Sequence, residues 1–207
     1  MWWNYRAEDP MAQGMPSRLS QPPRKVVLFS GHMIDARDRE KPRFPPDKES
    51  VAAHAISGVL AALEVGPRDV AICGGACGGD LLFAEAALAR GAALEIYIPL
   101  DEPTFLQASV EFANRDWHAR YSAARERATL HIAPRELGPL ADGDDAYARN
   151  NRWMLEMALR FGADKADLIG LWNGEGGDGP GGTGHMFDVV QSQGGRTHWL
   201  DTNQLWS

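Results

Sequence analysis

The sequence is poor in cysteine and in metal-ligand patterns, which excludes several common classes of small protein. Its 207 residues include two cysteines, Cys73 and Cys77, whereas disulfide-stabilised secreted domains carry more. Two thiols are too few for a structural zinc site without histidine ligands, and the histidines show no ligand spacing such as H-E-x-x-H. We therefore expect no metal and no resident cofactor. We expect both cysteines to be reduced packing residues, with a reactive Cys77 as the alternative, because helix N-termini lower thiol pKa values.

Long apolar runs and an excess of basic residues are also missing. No stretch reaches the roughly 18–20 apolar residues of a membrane span, and charged residues soon after Trp2 and Trp3 interrupt any signal peptide. These absences favour a cytoplasmic protein without a membrane partner. The net charge is −7 and the pI about 5.3, whereas nucleic-acid-binding domains usually present a basic face. Nucleic acid is therefore disfavoured as a partner.

Residues 1–24 differ in composition from the rest of the chain. Four prolines interrupt this segment, with Gln, Ser and Arg between them. Such a composition buries too little apolar surface to offset the entropy lost on ordering. We predict a flexible N-terminal tail, with docking of Trp2 and Trp3 on the body or on a partner as the alternative.

From residue 25 to residue 207, short apolar runs alternate with segments of helical spacing. A continuous apolar run of four to seven residues is typical of a strand that is buried on both faces of a parallel sheet. The alternation of strand and helix predicts an α/β protein: one Rossmann-like domain with a parallel sheet of about six strands and helices on both faces. The predicted strands cover residues 26–29, 69–73, 93–98, 128–132, 166–172 and 196–200.

Two of these strands run directly into glycine-rich loops that open helices, within residues 72–84 and 171–190. Glycine lets a ligand approach the backbone, and the N–H groups and dipole of the following helix attract phosphate. Neither loop has the dinucleotide fingerprint or the Lys-Ser/Thr pair of a P-loop, which disfavours an ordinary NAD dehydrogenase or ATPase. We predict a phosphorylated, nucleotide-type small molecule as the ligand of both loops, bound by Ser30, Gly31, Gly74, Gly75, Gly78, Gly79, Asp80, Gly181, Gly182, Thr183, Gly184 and His185.

Several side chains near these loops allow simpler roles. Asp80 could contact a ribose hydroxyl or only cap a helix, and His185 could face the ligand or solvent. His32, just after the first strand, is a further pocket candidate. Trp153 and Trp172 could stack on a base, but core packing is the default.

The glycine motifs resemble those of a known superfamily. The segment P-G-G-T-G-H-M-F-D at residues 180–188 resembles the P-G-G-x-G-T-x-x-E signature of the "Lonely guy" (LOG) phosphoribohydrolases, and G-G-A-C-G-G-D at residues 74–80 is similar to that superfamily's first glycine motif. The latter also resembles the G-G-A-x-G-x-D segment of DNA-processing proteins. Ser30-Gly31 fits the same scheme, and the resemblance spans most of residues 25–201.

The sequence departs from the LOG motifs at three residue positions and in a longer loop before Pro180, residues 173–179. His185 replaces the signature threonine, and Asp188 replaces the signature glutamate. Where the LOG enzymes carry an Arg-Lys pair, this chain has Asn150-Asn151-Arg152, so that only the arginine is present.

The resemblance implies three possible functions and a homodimer. A LOG-type phosphoribohydrolase would cleave the N-glycosidic bond of a nucleoside 5′-monophosphate, with Asp188 stabilising the sugar cation or orienting water and Arg152 holding the phosphate or the leaving base. The SLOG-type sensor branch binds nucleotide-derived signals without turning them over, and these departures favour this function over hydrolysis. A DNA-binding module like the DNA-processing proteins is the least favoured of the three functions, because the chain is acidic.

Overall fold

The computed structural model describes residues 22–113, 115–175 and 181–207, so most of the predicted tail lies outside the described residues. Arg24, the last residue of the predicted tail, is hydrogen-bonded to the globular domain. The Arg24 amide donates to the Arg68 carbonyl at 3.0 Å, and the guanidinium donates to both carboxylate oxygens of buried Asp69, at 3.0 and 2.7 Å. The chain is therefore held against the body before the first strand begins.

Six strands and eight α-helices make up the described chain. The strands are β1 (Val26–Gly31), β2 (Val70–Cys73), β3 (Ala93–Ile98), β4 (Thr129–Ile132), β5 (Ala166–Trp172) and β6 (Arg196–Asp201). The helices are α1 (Glu49–Ala62), α2 (Gly79–Ala89), α3 (Glu102–Ser109), α4 (Arg115–Arg127), α5 (Ala133–Glu136), α6 (Ala146–Leu159), α7 (Thr183–Ser192) and α8 (Thr202–Leu205). In this part of the chain no helix has the length and apolar character needed to cross a bilayer.

The strands form one parallel sheet in the order β4-β3-β2-β1-β5-β6, which confirms the predicted fold. The chain moves outward from β1 to β4, then returns to place β5 on the other side of β1. Crevices for ligands form where the strand order reverses in this way, outside the carboxyl ends of the strands. Here that point lies between β1 and β5, where Ser30 is paired with Gly170 and Gly31 with Leu171.

The central strand shows why the apolar runs are continuous rather than alternating. Val27 and Phe29 belong to the core cluster beneath α1, α2 and α4. Val26 and Leu28 point to the opposite face and belong to the cluster beneath α6 and α7. Both faces of β1 are therefore buried under helices, as a parallel sheet requires, and the prediction of helices on both faces is confirmed.

The edge strand β6 is attached to β5 through a buried carboxylate. The Asp167 side chain is fully buried and accepts hydrogen bonds from Arg196 Nε at 2.9 Å, from Arg196 Nη2 at 2.7 Å and from His198 Nε2 at 2.8 Å. Burial by itself raises the pKa of Asp167, but the bonds from His198 and Arg196 outweigh it and hold the pKa at about 2. The ion pairs therefore favour the charged form of Asp167 in the folded state.

We expect this carboxylate to make the fold acid-sensitive in a defined range. Because the folded pKa lies below the usual value of about 3.9, the stabilisation is complete above about pH 4 and is lost as the pH falls towards 2. The loss should be about 2 kcal/mol of unfolding free energy. Urea unfolding at pH 5 and pH 2.5 should show a smaller drop for Asp167→Asn than for the wild type. The exposed Asp188→Asn serves as the control, and equal drops in all three proteins would refute the assignment.

Candidate functional site at the carboxyl ends of the strands

A cavity of about 170 Å³ lies at the carboxyl ends of β1, β2 and β3. Its walls come from the strand ends, from the starts of α2 and α7, and from one side of α6. Five of the residues predicted to bind the ligand line it. The lining residues are Phe29, Ser30, Gly31, Met33, Gly74, Ala76, Asp80, Pro99, Phe105, Tyr147, Asn150, Asn151, Met154 and Thr183.

The start of α7 provides one end of the cavity. Ser30 Oγ at the end of β1 lies 2.8 Å from Thr183 Oγ1, the first residue of α7, so the two hydroxyls join the strand to the helix at the topological switch point. The N-cap of this helix is Gly182, no side chain of the described residues caps it, and its first turn contains no acidic residue. The first-turn N–H groups have no partner within the helix, so they and the helix dipole make this end suitable for an anion.

In the first glycine loop, three backbone N–H groups have partners within the protein. Asp80 turns back onto the loop, where Oδ1 accepts from the Gly74 amide at 3.2 Å and Oδ2 accepts from the Ala76 amide at 3.3 Å. The Cys77 amide donates to the Ser109 carbonyl at 2.8 Å. These three N–H groups are already bonded within the protein, so this loop offers fewer donors to a phosphate than its sequence suggests.

Asp80 itself is a half-buried carboxyl group on the cavity wall. Burial raises its pKa to about 7, although the hydrogen bonds from the amides of Gly74 and Ala76 lower it. Near neutral pH the group therefore exists in both protonation states. The predicted helix-capping role is not observed, because the N-cap of α2 is Gly78 and the Asp80 carboxylate caps the preceding loop.

The other glycines of the first loop allow close packing and do not line the cavity. A Cβ on Gly75 would lie 2.8 Å from Ile96 Cγ2, and a Cβ on Gly79 would lie 2.8 Å from the Phe29 ring. Gly78 forms an isolated bridge with Met33. These glycines let the first loop approach the end of β1 and the sheet.

The second glycine loop rests on α6. Residues 176–180 lie outside the described chain, but Gly181 follows them with a φ of 87°, and its carbonyl accepts a hydrogen bond from Asn151 Nδ2 at 2.8 Å. Any side chain at Gly181 would strike the Ala148 backbone. The predicted ligand residues Gly182, Gly184 and His185 are half-buried at the start of α7, next to the cavity but not among its lining residues.

The predicted catalytic pair lies outside the cavity lining. Asp188 is exposed on α7. Arg152 is half-buried on α6, where its charge acts on Glu156 one turn later. The roles assigned to Asp188 and Arg152 therefore stay predictions from the sequence.

His32 and Cys77, two candidates from the sequence, are both buried, and burial shifts the pKa of each. His32 Nε2 accepts a hydrogen bond from the backbone N–H of Asn173 at 3.3 Å. Burial, together with the charge of Arg43, lowers the pKa of His32 to about 4. The ring is therefore neutral at pH 7. Burial raises the pKa of the Cys77 thiol to about 12, so this thiol is protonated and poorly nucleophilic, in agreement with a packing role.

The tryptophans flanking the second loop differ from each other. Trp153 is buried and packs edge-on against Tyr97, with ring centroids 4.7 Å apart, which agrees with the default of core packing. Trp172 is half-buried, and its ring lies 6.0 Å from that of the exposed Trp199 on β6. Neither tryptophan lines the cavity.

Asn150 is the main site residue that sequence reasoning missed. It is 3% exposed and sits on the buried face of α6, one turn before Trp153 and Met154. Its Nδ2 donates to the Tyr97 carbonyl at 2.8 Å. The available signal was an asparagine at an apolar position of an amphipathic helix, since buried polar side chains normally have a specific partner.

Among the described lining residues, one side chain carries an ionisable acid or base of the Asp, Glu, Lys, Arg or His type. None of the described residues that line it is Lys, Arg or His, and Asp80 is their single carboxylic acid. In the same described ranges, no three His, Cys, Asp or Glu side chains are grouped to hold a metal ion. The described part of the lining therefore offers a phosphate backbone N–H groups and hydroxyls, but no cationic side chain.

Comparison with known proteins gives remote similarities only. No protein-family model matches the chain, and no curated protein matches it. Among solved structures, DNA processing protein A (DprA) from Streptococcus pneumoniae is similar over 87% of this chain, with 16% identity and a TM-score of 0.41; the match spans 60% of that protein's length. The Moco carrier protein from Chlamydomonas reinhardtii is similar over 88% of this chain and 98% of its own, with 11% identity and a TM-score of 0.34.

Proposed function

We propose that the cavity binds a small, nucleotide-type monophosphate, and that the protein acts as a sensor or regulatory domain for this ligand. The observation that carries the proposal is the uncapped start of α7, which opens beside the hydroxyl pair of Ser30 and Thr183. A phosphate there would accept hydrogen bonds from backbone N–H groups and from whichever of the two hydroxyls does not donate to the other. The sequence resemblance to the SLOG-type sensor branch is in line with this function.

The electrostatics of the cavity favour one phosphate over several. Di- and triphosphates need cationic partners such as Lys, Arg or Mg²⁺, and the described cavity lining contains no basic side chain. Ionised Asp80 would repel additional negative charge. The same argument disfavours a nucleic-acid backbone, whose binding depends on neutralising many phosphates.

Binding is favoured over hydrolysis by the position of the carboxylates. Cleavage of an N-glycosidic bond needs a carboxylate beside the sugar carbon. The predicted group, Asp188, is exposed on α7 and outside the cavity lining, while Asp80 inside it is bonded to two loop amides. Hydrolysis remains the alternative, and it is measured by the release of free adenine from AMP. Adenine above the background of a protein-free sample would make the protein an enzyme.

The proposal predicts that phosphate is needed for binding. AMP should raise the melting temperature in a concentration-dependent manner, because a ligand that binds only the folded state stabilises it, whereas adenosine should not. Thr183→Asp should weaken AMP binding by about tenfold or more, because two like charges about 4 Å apart repel each other strongly near a protein surface. The same substitution should not destabilise the unliganded protein, since an acidic residue suits the first turn of a helix.

Thr183→Ser is the matched control, because it keeps the hydroxyl and adds no charge. For the wild type, Thr183→Asp and Thr183→Ser, differential scanning fluorimetry measures the melting temperature and calorimetric titration measures the affinity for AMP. Equal effects of AMP and adenosine, or no effect of any nucleoside monophosphate, would contradict the proposal.

A further inference from the structure

A second group of charged side chains lies in the loop that follows β1, outside the cavity lining. The Asp35 side chain is 5% exposed, and its Oδ2 accepts hydrogen bonds from the backbone N–H groups of Arg43 at 2.8 Å and Phe44 at 2.9 Å. The Asp35 amide in turn donates to the Phe44 carbonyl at 2.8 Å. A buried carboxylate therefore closes residues 35–44 into a loop of fixed shape.

The C-terminal segment holds this loop from another side. The Phe44 ring stacks on that of Trp206, with centroids 5.4 Å apart, and Trp206 Nε1 donates to the Arg43 carbonyl at 2.9 Å. The N–H and the carbonyl of Arg43 are thus both bonded. The backbone position of Arg43 therefore does not depend on its guanidinium group.

The guanidinium of Arg43 is half-buried, yet it forms no hydrogen bond or ion pair within the described residues. Its Nε is buried and unbonded, while its two terminal nitrogens are open to solvent. Burial and the charge of Arg39 lower the pKa of Arg43, and the charge of Asp35 raises it. A guanidinium in such surroundings normally pairs with a carboxylate or a phosphate.

The positive charges of this loop are not balanced by nearby carboxylates. Arg39 Nε lies 3.2 Å from Asp35 Oδ1, so the one buried carboxylate is already used by Arg39 and by the backbone. The other acidic residues of the loop, Asp38 and Glu40, are exposed, and no ion pair joins either of them to an arginine in the described chain. One excess positive charge is therefore held at Arg43, next to a second cation.

We propose that Arg43 and Arg39 form an oxyanion site, separate from the cavity, for a phosphate group that is either a free ion or an ester on a larger molecule. The terminal nitrogens of a guanidinium offer paired donors that match the oxygens of a phosphate. The charges of both arginines act on the buried ring of His32, which places the site beside the carboxyl end of β1. This inference goes beyond the proposed function and does not rest on it.

The test titrates inorganic phosphate into the full chain by calorimetry at constant ionic strength. Because the start of α7 is a second candidate for phosphate, the measurement is made in Thr183→Asp, where that end is blocked by charge. Phosphate should still bind, and adding Arg43→Gln should weaken binding about tenfold or more, since hydrogen bonds between charged groups are among the strongest in proteins. Arg37→Gln, which removes an exposed arginine of the same loop, should leave the affinity unchanged.

The melting temperatures of the phosphate-free proteins provide an independent readout. Arg43→Gln should melt at the same temperature as the wild type or higher, because the lost guanidinium has no partner in the protein and lies near Arg39. Arg39→Gln should melt at a lower temperature, because it leaves the buried carboxylate of Asp35 without its ion pair. A lower melting temperature for Arg43→Gln would reveal a structural partner of the guanidinium and would overturn the inference.

The titrations separate this site from the cavity. Phosphate binding that survives Arg43→Gln but is abolished by Thr183→Asp would assign the ion to the start of α7, overturning the inference and leaving the proposed function intact. Binding that is abolished by either substitution alone would overturn the separation of the two sites. Binding that is lost with Arg43→Gln alone supports the inference even if AMP does not bind. Phenyl phosphate, titrated beside inorganic phosphate in Thr183→Asp, then distinguishes an ester from a free ion by the tighter affinity.

Discussion

Replacing Asp80 with asparagine should remove a large pH dependence of stability between pH 5 and pH 8. Burial raises the pKa of Asp80 to about 7 in the folded protein, compared with about 3.9 in an unfolded chain. Between these values the folded state keeps a proton that the unfolded state has lost, so this group makes stability fall as the pH rises. The contribution amounts to about 3 kcal/mol from pH 5 to pH 8, since one pKa unit corresponds to about 1.4 kcal/mol.

The Asp80→Asn protein should show no such slope, although it should be less stable than the wild type at pH 5. The single carbonyl oxygen of the new side chain can accept from only one of the amides of Gly74 and Ala76, and an unsatisfied buried N–H group costs about 1–3 kcal/mol. The two proteins should therefore approach each other in stability, or cross, as the pH rises. Urea unfolding at pH 5, 6, 7 and 8 measures the difference directly.

The test compares the unfolding free energies of the wild type and Asp80→Asn at each pH, because His32 changes the stability of both proteins in the opposite direction. Its pKa is lowered to about 4, so His32 makes stability rise with pH between about 4 and 6.5 in both proteins. Asp101→Asn is the control. This exposed N-cap of α3 has a pKa lowered by its bonds to Thr104, so its replacement should leave the slope above pH 5 unchanged. Parallel curves for the wild type and Asp80→Asn would refute a raised pKa at Asp80.

Gly78→Ala should destabilise the protein by about 3 kcal/mol or more. Gly78 has a φ of 95° and a ψ of −127°, a conformation that is nearly restricted to glycine and costs other residues about 1–3 kcal/mol. An added Cβ would also overlap the Ile34 amide nitrogen and lie 3.0 Å from the Met33 carbonyl carbon. Both are backbone atoms that cannot rotate away, and overpacking of this kind adds about 1–3 kcal/mol.

The substitution should also weaken AMP binding. The contact of Gly78 with Met33 and Ile34 holds the first glycine loop against the end of β1, so separating them displaces Asp80 relative to Ser30. Gly143→Ala is a matched control, since its φ is 84° but nothing lies within 4 Å of an added Cβ. It should lose about 1–2 kcal/mol from backbone strain alone. Equal losses at the two positions would show that the close packing at Gly78 is relaxed in solution.

The secondary structure was readable from the sequence because it depends on local patterns. Strands buried on both faces, such as β1 and β5, require continuous apolar runs, and glycine or proline marks most of the turns between elements. The short helices α5 and α8 were not predicted, because four-residue helices carry too little periodicity to be recognised. The position of the site at the carboxyl ends of the strands followed from the same alternation of strand and helix.

The sequence by itself determined the class of fold, the approximate bounds of the main elements, and the two loops beside which Ser30, Gly74, Asp80 and Thr183 meet. Only the tertiary structure decided which backbone donors remain available and which buried side chains face the cavity. Asp80 bonds the amides of its own loop, and Asn150 reaches the cavity from a helix much later in the chain. Hydrogen-bond partners and burial depend on distances between segments far apart in sequence, and local patterns carry no information on those distances.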